Sequence, residues 1–296
     1  MAIPRRNLFF PSDNILNPYT SQFNLTVQRK LAGNWLLSVA GVRMLTVKQF
    51  QNFNLNAPSP FPRTAPGQTR TQAAADATRP LNTFSGVPIR QLFFQSNSGI
   101  SNYHALDVAI SRRFAKRFQF ESHWVWSSAM TNSSDDHNGA NPNEWSNIGR
   151  AEWGQSDFMQ RHRWVSNGLV QLPWNSQLSG VFTLAGGIPV NPLTGVDNNG
   201  DTTLRGRPAT FGRNAFRGPR QTTLDLSFTK SILFSERTRV ELRADAFNLF
   251  NGSNFHRMNG TWGNGAAPLA TFLQPIAGLA NGDPGRQFTF GIRLLF

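Results

Sequence analysis

The chain ends in Gln287-Phe288-Thr289-Phe290-Gly291-Ile292-Arg293-Leu294-Leu295-Phe296, where large apolar residues alternate with small or polar ones. The apolar positions are Phe288, Phe290, Ile292, Leu294 and Phe296. A period of two predicts a β-strand with one apolar face. In water such a strand would expose a free edge and an apolar surface, whereas a closed barrel in lipid pairs the edge and covers the face with acyl chains. The stretch therefore predicts a membrane β-barrel, and we treat these five residues as its C-terminal barrel signal.

Composition agrees with that prediction. The chain has 296 residues and a mean hydropathy of -0.37, and no run approaches the ~18 consecutive apolar residues of a membrane-spanning helix. An alternating membrane strand escapes such a hydropathy test, because its apolar residues are diluted by polar ones. Cysteine is absent, which suits a protein of the cell envelope.

The net charge of +13 raises the alternative of a nucleic-acid-binding protein. The arginines, however, are scattered singly along alternating segments, and the sequence shows no basic helix or binding module. A basic surface equally suits the phosphates of an anionic outer leaflet. We therefore expect outer-membrane lipid and lipopolysaccharide as partners, and no nucleic acid.

Alternating segments recur along the whole chain. Together with the terminal stretch they predict about nine strands, at 22–31, 35–47, 103–114, 118–130, 159–172, 176–188, 221–234, 238–250 and 287–296. The connections between them alternate strictly between short and long, the long ones covering about 48–100, 131–158, 189–220 and 251–286. Bacterial membrane barrels have short periplasmic turns and long extracellular loops, whereas a soluble Greek-key sandwich has no reason to alternate. The sequence thus predicts an all-β, antiparallel, meandering transmembrane barrel.

The same pattern predicts where polar and aromatic side chains lie. Glu241, Arg243 and Asp245 alternate with apolar residues and are expected to face the lumen, because charge is costly against acyl chains. Tryptophans near strand ends predict two aromatic girdles: Trp35, Trp124, Trp126, Trp164 and Trp174. Ordinary core tryptophans of a soluble sandwich are the alternative.

An odd number of strands is unusual, since single-chain bacterial barrels use even numbers. Residues 1–21 would then be an extracellular loop or a truncated start, with 22–296 forming barrel strands and loops. Residues 1–21 also lack the apolar core of a signal peptide. A tenth strand near Leu8-Phe9-Phe10 is the alternative explanation.

Several segments resemble, in order, the C-terminal barrel region of the Oar-like TonB-dependent receptors, the carboxypeptidase-regulatory-domain type of acidobacteria. They are NPYTSQFNL at 17–25, SNYHAL at 101–106, SDF at 156–158, RHR at 161–163, LP at 172–173, GRN at 212–214, RGP at 217–219, LDL at 224–226 and RADAFNLFN at 243–251. The resemblance implies a barrel of about 22 strands that is filled by a plug and opened by the TonB complex. It also implies insertion by the barrel assembly machinery and a small ligand of unknown identity. The chain departs from the family in lacking a plug, so TonB would act only through a missing N-terminal plug.

Asp197-Asn198-Asn199-Gly200-Asp201 places side-chain oxygens at the first, third and fifth positions, as a calcium loop does. The sixth and twelfth positions, Thr202 and Pro208, depart from an EF-hand. We expect either a structural Ca²⁺ held by Asp197, Asn199 and Asp201 or a loop closed by Asx turns. No other cofactor is expected.

The sequence contains neither a nucleophile-elbow motif nor a His-Glu-x-x-His motif, so we do not expect an enzyme. The function that these features favour is the barrel part of a TonB-dependent outer-membrane receptor that recognises and admits a nutrient. A self-standing, non-transporting barrel such as an adhesin is the alternative.

Overall fold

A computed structural model describes residues 5–61, 63–133, 152–235, 238–276 and 282–296. Within these ranges the protein is all-β, with one short α-helix, α1, at Gln72–Asp76 and one 3-10 turn at Ala32–Asn34. None of the helical residues described forms a segment long and apolar enough to cross a membrane. The strands are β1 Arg6–Pro11, β2 Tyr19–Lys30, β3 Trp35–Asn54, β4 Thr83–Phe84, β5 Val87–Ala115, β6 Phe118–Thr131, β7 Gly154–Gln155, β8 His162–Leu172, β9 Ser176–Ala185, β10 Pro189–Val190, β11 Phe216–Arg217, β12 Gln221–Leu233, β13 Arg239–Phe247 and β14 Gln287–Leu295.

Nine of these strands form one antiparallel meander in the order β14-β13-β12-β9-β8-β6-β5-β3-β2. They correspond one for one to the nine predicted strands, which confirms both the number and the alternation of short and long connections. Each strand pairs with its neighbours along the meander. A short turn leaves the two strands that it joins no other arrangement, and the long connections likewise return to the adjacent position in the sheet. The strands β2 and β14 stand at the two ends of this order, and all twelve residues of β2 are exposed.

The short turns follow from local backbone chemistry. Lys116 and Arg117 both have positive φ (48° and 74°), as the two-residue turn between β5 and β6 requires. Gly33 and Asn34 (φ 72° and 66°) reverse the chain between β2 and β3. All the short turns lie at one end of the sheet, because consecutive strands are antiparallel, and the long loops lie at the other.

Two boundaries differ from the sequence prediction. The region 48–100 is not a loop throughout, because β3 continues to Asn54 and β5 begins at Val87, and the two pair beyond bulges near Gln49. We call the four long connections the outer loops, numbered in chain order. The sequence pattern did not predict this extension, because it lies among the outer loops and has no lipid-facing side that would require alternating residues. The residues Leu8-Phe9-Phe10 do form a strand, but β1 pairs in parallel with β5 outside the meander, with Phe9 stacked on Phe93 at 4.4 Å.

Strand register sorts the side chains onto two continuous faces. On one, the apolar face, Phe228 pairs with Ala244 and Ala244 with Phe290. On the other, the polar face, Ser227 pairs with Asp245 and Asp245 with Thr289. The apolar face carries large exposed residues on every strand of the meander except β9, so water cannot be its usual surroundings.

The buried core lies among the outer loops and not in the sheet. The largest fully buried side chains among the described residues are Ile89, Gln51, Asn56, Asn198, Asp201, Pro58 and Pro192. All belong to the outer loops or to the extensions of β3 and β5. A single curved sheet has no second layer to pack against, whereas the loops can pack on one another in water.

Candidate ligand-binding surface

The polar face carries a compact charged group midway along β5 and β6. His123 Nε2 lies 2.8 Å from Glu121 Oε1, and His123 Nδ1 lies 3.8 Å from Asp107 Oδ1. Two acids and an imidazole on one side of a sheet require water or polar partners. This face is therefore the hydrophilic side of the barrel wall.

The three charges that the sequence places in the lumen lie together on this polar face. Arg243 Nε is 2.9 Å from Asp245 Oδ2, and Glu241 is paired across the strands with Arg293. Their common face agrees with a luminal position, which remains a prediction.

A pocket of about 510 Å³ opens where the polar face meets the outer loops; we call it the rim pocket. Its floor comes from β8, β9 and β12, and its roof from the last outer loop. The residues that define it are Arg163, Thr183, Gln221, Thr223, Asp225, Asn248, His256, Asp283 and Gln287. Because both charge signs and several amides line it, the pocket can hold a polar solute through many hydrogen bonds.

A chain of hydrogen bonds fixes the roof of the rim pocket to the sheet. Gln160 donates to Gln221 Oε1 at 2.9 Å, and Gln221 Nε2 donates to His256 Nδ1 at 3.0 Å. The other ring nitrogen, His256 Nε2, lies 3.3 Å from Asp283 Oδ1. A hydrolytic triad would need a nucleophile on the free imidazole nitrogen, and here an amide occupies that position. The arrangement supports binding and positioning.

A second, smaller cavity of about 240 Å³ lies between three outer loops; we call it the loop cavity. Arg63 and Gly67 come from the first loop, Thr194 from the third and Trp262 from the fourth. The indole of Trp262 is held in a cluster with Phe211, Phe216 and Phe272, at ring distances of 4.7–5.6 Å. The cavity wall is thus rigid and largely apolar, with the Arg63 guanidinium on one side.

The predicted calcium loop is buried against α1. Asp197 Oδ1 and Asn199 Oδ1 both accept the amide N–H of Asp201, at 3.0 and 3.1 Å. Gly200 has a φ of +70°, and a Cβ there would lie 2.7 Å from the Thr71 carbonyl oxygen, so close packing requires glycine. The structure brings the three predicted ligands together through Asx turns. Calcium binding itself remains a prediction.

Charged residues hold the outer loops in place. Burial raises the pKa of the Asp76 carboxyl, but the hydrogen bond and charge of Arg79, 2.6 Å away, together with the charge of Arg5 and a hydrogen bond from Gln72, leave the pKa below its ordinary value. Burial, with a smaller contribution from the positive charge of Arg161, lowers the pKa of the Arg217 guanidinium.

The predicted girdle tryptophans occupy two levels. Trp124 and Trp164 are register partners toward the loop end of the sheet, and Trp126 lies one step further on the same apolar face. Trp35 starts β3 beside a short turn, and Trp174 forms the tip of another turn, where it is 83% exposed. Two aromatic levels agree with interfacial girdles, which stay a prediction.

An alternating sheet with one apolar face, short turns at one end and packed loops at the other defines an outer-membrane β-barrel protein. The chain belongs to the outer membrane beta barrel domain family, whose profile matches residues 2–211 and 205–274. It is accordingly a protein of the bacterial outer membrane. No curated protein matches the chain.

Solved structures of outer-membrane transporters and receptors have a similar fold. The outer membrane transporter YddB from Escherichia coli matches 98% of the chain with a TM-score of 0.58 and 10% identity. The FrpB iron transporter from Neisseria meningitidis matches 98% with a TM-score of 0.51 and 10% identity. The chain spans only 34% and 33% of these two structures, about a third of their length.

Sequence reasoning missed the rim pocket and the loop cavity. His256, Asp283 and Trp262 lie in loops without a period or a motif, and their partners come from distant strands. The one indication of the rim pocket in the sequence was Gln221, a polar residue at the first position of a strand and on its polar face.

Proposed function

We propose that the chain is the barrel part of a TonB-dependent outer-membrane receptor whose polar face and outer loops recognise and admit a nutrient ligand. The rim pocket carries the proposal, because it joins the outer loops to the hydrophilic side of the barrel wall. The fold similarity to outer-membrane transporters supports it. An Oar-like relationship rests on the sequence resemblance alone.

In this proposal the nine strands form part of a larger barrel of about 22 strands. Residues 22–296 supply barrel strands and loops, and residues 1–21 lie at the cell surface. The TonB complex acts through a plug domain elsewhere in the polypeptide, and the barrel assembly machinery inserts the wall. The protein binds and moves its ligand without changing it chemically.

The intact mass of the polypeptide from outer membranes tests the proposal, using an antibody against residues 251–286 for detection. We expect a mass several times the 33.0 kDa of this chain. A mass near 33 kDa would contradict a receptor and leave a self-standing barrel such as an adhesin.

Cysteine labelling tests which face is hydrophilic in the membrane, since this chain has no cysteine of its own. Thr223→Cys, in the rim pocket, is expected to react in intact cells with a membrane-impermeant maleimide. Leu224→Cys, the neighbouring residue on the apolar face, serves as the control and is expected to react only after detergent extraction. Equal labelling of both variants in cells would show that the two faces are not separated by lipid.

We further propose that Asp197, Asn199 and Asp201 hold a structural Ca²⁺. Oxygen-rich loops of this kind suit calcium, and the side chains of Asp197 and Asn199 already converge on the backbone amide of Asp201. Titration calorimetry of the folded protein is expected to show one Ca²⁺ site that Asp201→Asn weakens. Absence of binding heat in the unaltered protein would leave the Asx turns as the whole role of these residues.

A further inference from the structure

The apolar face contains a groove of about 460 Å³ between β6, β8, β9 and β12. It exists because Gly168 and Gly180 are direct register partners, so two neighbouring positions in one row lack side chains. Phe120 and Leu226 continue the row on either side. The result is a trough in a surface that elsewhere is covered by large residues.

The groove is lined almost entirely by apolar atoms and contains no charged side chain. Its walls come from Phe118, Phe120, Val170, Leu178, Phe182, Leu224 and Leu226. An apolar trough left empty would forfeit the dispersion contacts of all these side chains. Because the groove is continuous with the apolar face, its occupant must also be a molecule that is stable against an apolar surface.

One end of the groove carries hydroxyl groups. Ser166 lines the groove, and its Oγ lies 2.8 Å from Ser122 Oγ, which also accepts the indole N–H of Trp164 at 2.7 Å. The two hydroxyls supply two protons, but the bond between them uses only one. One O–H therefore remains to donate, and in a hydrocarbon environment an unmatched donor is costly.

We propose that the groove is a binding site for a membrane lipid, with one ester-linked acyl chain lying between Phe120 and Leu226 and an ester oxygen accepting the remaining serine proton. The serines lie one step below Trp124 and Trp164, the level where ester groups meet the hydrocarbon. The site rests on the proposed placement of the apolar face against lipid. Such a site would bind one lipid molecule preferentially at this position of the apolar face, whereas the rest of the face contacts the surrounding lipids uniformly.

Photolabelling of the complete polypeptide tests the site. The protein is purified from outer membranes and placed in phosphatidylethanolamine vesicles that contain a small fraction of the same lipid with a diazirine in one acyl chain. We expect peptides from β8 and β9 to carry several-fold more label than peptides from β13 and β14.

The matched variants are Gly168→Leu and Ala244→Leu. A Cβ at Gly168 would have only ordinary contacts, 3.4 Å to the Gln119 carbonyl oxygen and 3.5 Å to Phe120 Cδ2, so leucine can enter the groove without moving the backbone. Gly168→Leu is expected to reduce labelling of β8 and β9 to the level of the other strands. Ala244→Leu adds the same side chain to the apolar face outside the groove and should leave the labelling pattern unchanged.

Two outcomes would count against the proposals, and they differ. Even labelling of all strands in both the unaltered protein and Gly168→Leu would overturn the groove as a specific site while keeping the apolar face in lipid. Weak labelling of every strand would contradict the lipid-facing placement itself. Native mass spectrometry of a Ser122→Ala, Ser166→Ala double variant adds a second readout, with loss of a retained lipid expected.

Discussion

Val108→Arg is expected to destabilise the protein in a membrane by about 1–2 kcal/mol, because an arginine on the lipid face at the level of the interfacial tryptophans costs less than one at mid-depth. Val108 lies in the membrane half of β5 on the apolar face, between Val39 and Trp124. The guanidinium would displace apolar contacts of the face and would have to extend toward the headgroups to reach water. The free energy of unfolding in lipid vesicles, followed with guanidinium chloride, measures the effect.

Ala109→Arg is the matched control, because it adds the same side chain to the next residue of the same strand. Ala109 lies on the polar face opposite His123, close to Asp107 and Glu121. An arginine there meets water and two carboxylates, so we expect the free energy of unfolding to change much less than in Val108→Arg. If Ala109→Arg were the more damaging of the two, the assignment of the faces would be reversed.

Glu152→Gln is expected to destabilise the packed outer loops by about 3–5 kcal/mol, because it breaks a buried ion pair by removing the charge of one partner. Arg207 binds both oxygens of Glu152, at 2.8 and 3.2 Å, and the two side chains are only 10% and 4% exposed. Glu152 belongs to the second outer loop and Arg207 to the third, so the pair fastens one loop to another. Hydrogen exchange of the third loop should accelerate while exchange in the strands stays the same.

Asp283→Asn provides the comparison for that experiment. It neutralises Asp283, whose carboxylate lies 3.3 Å from His256 Nε2 in a pair whose side chains are 33% and 50% exposed. A solvent-exposed pair contributes at most about 1 kcal/mol, so exchange in the outer loops should change little. Equal effects of the two substitutions would show that the Arg207–Glu152 pair does not anchor the loops.

The sequence by itself determined the nine strands, the short turns and the composition of the two faces. The strand signal is a period of two within one segment, and a tight turn such as Lys116-Arg117 is set by neighbouring residues. Apolar and polar residues alternate in β14 and β2 although these strands lie at the two ends of the meander, because each strand carries its own apolar side. Pairing across each short turn then follows, since such a turn forces the two strands that it joins to lie side by side.

Only the tertiary structure decided which distant residues meet. Gly168 and Gly180 are unremarkable in the sequence, and they create a groove because register sets them side by side. The rim pocket likewise joins Gln221 of β12 to His256 and Asp283 of a loop, and β1 finds its partner in β5 some eighty residues later. Strand periodicity is a local property of the chain, whereas loop packing and cross-strand register depend on contacts between segments far apart in sequence, which leave no repeating pattern in either segment.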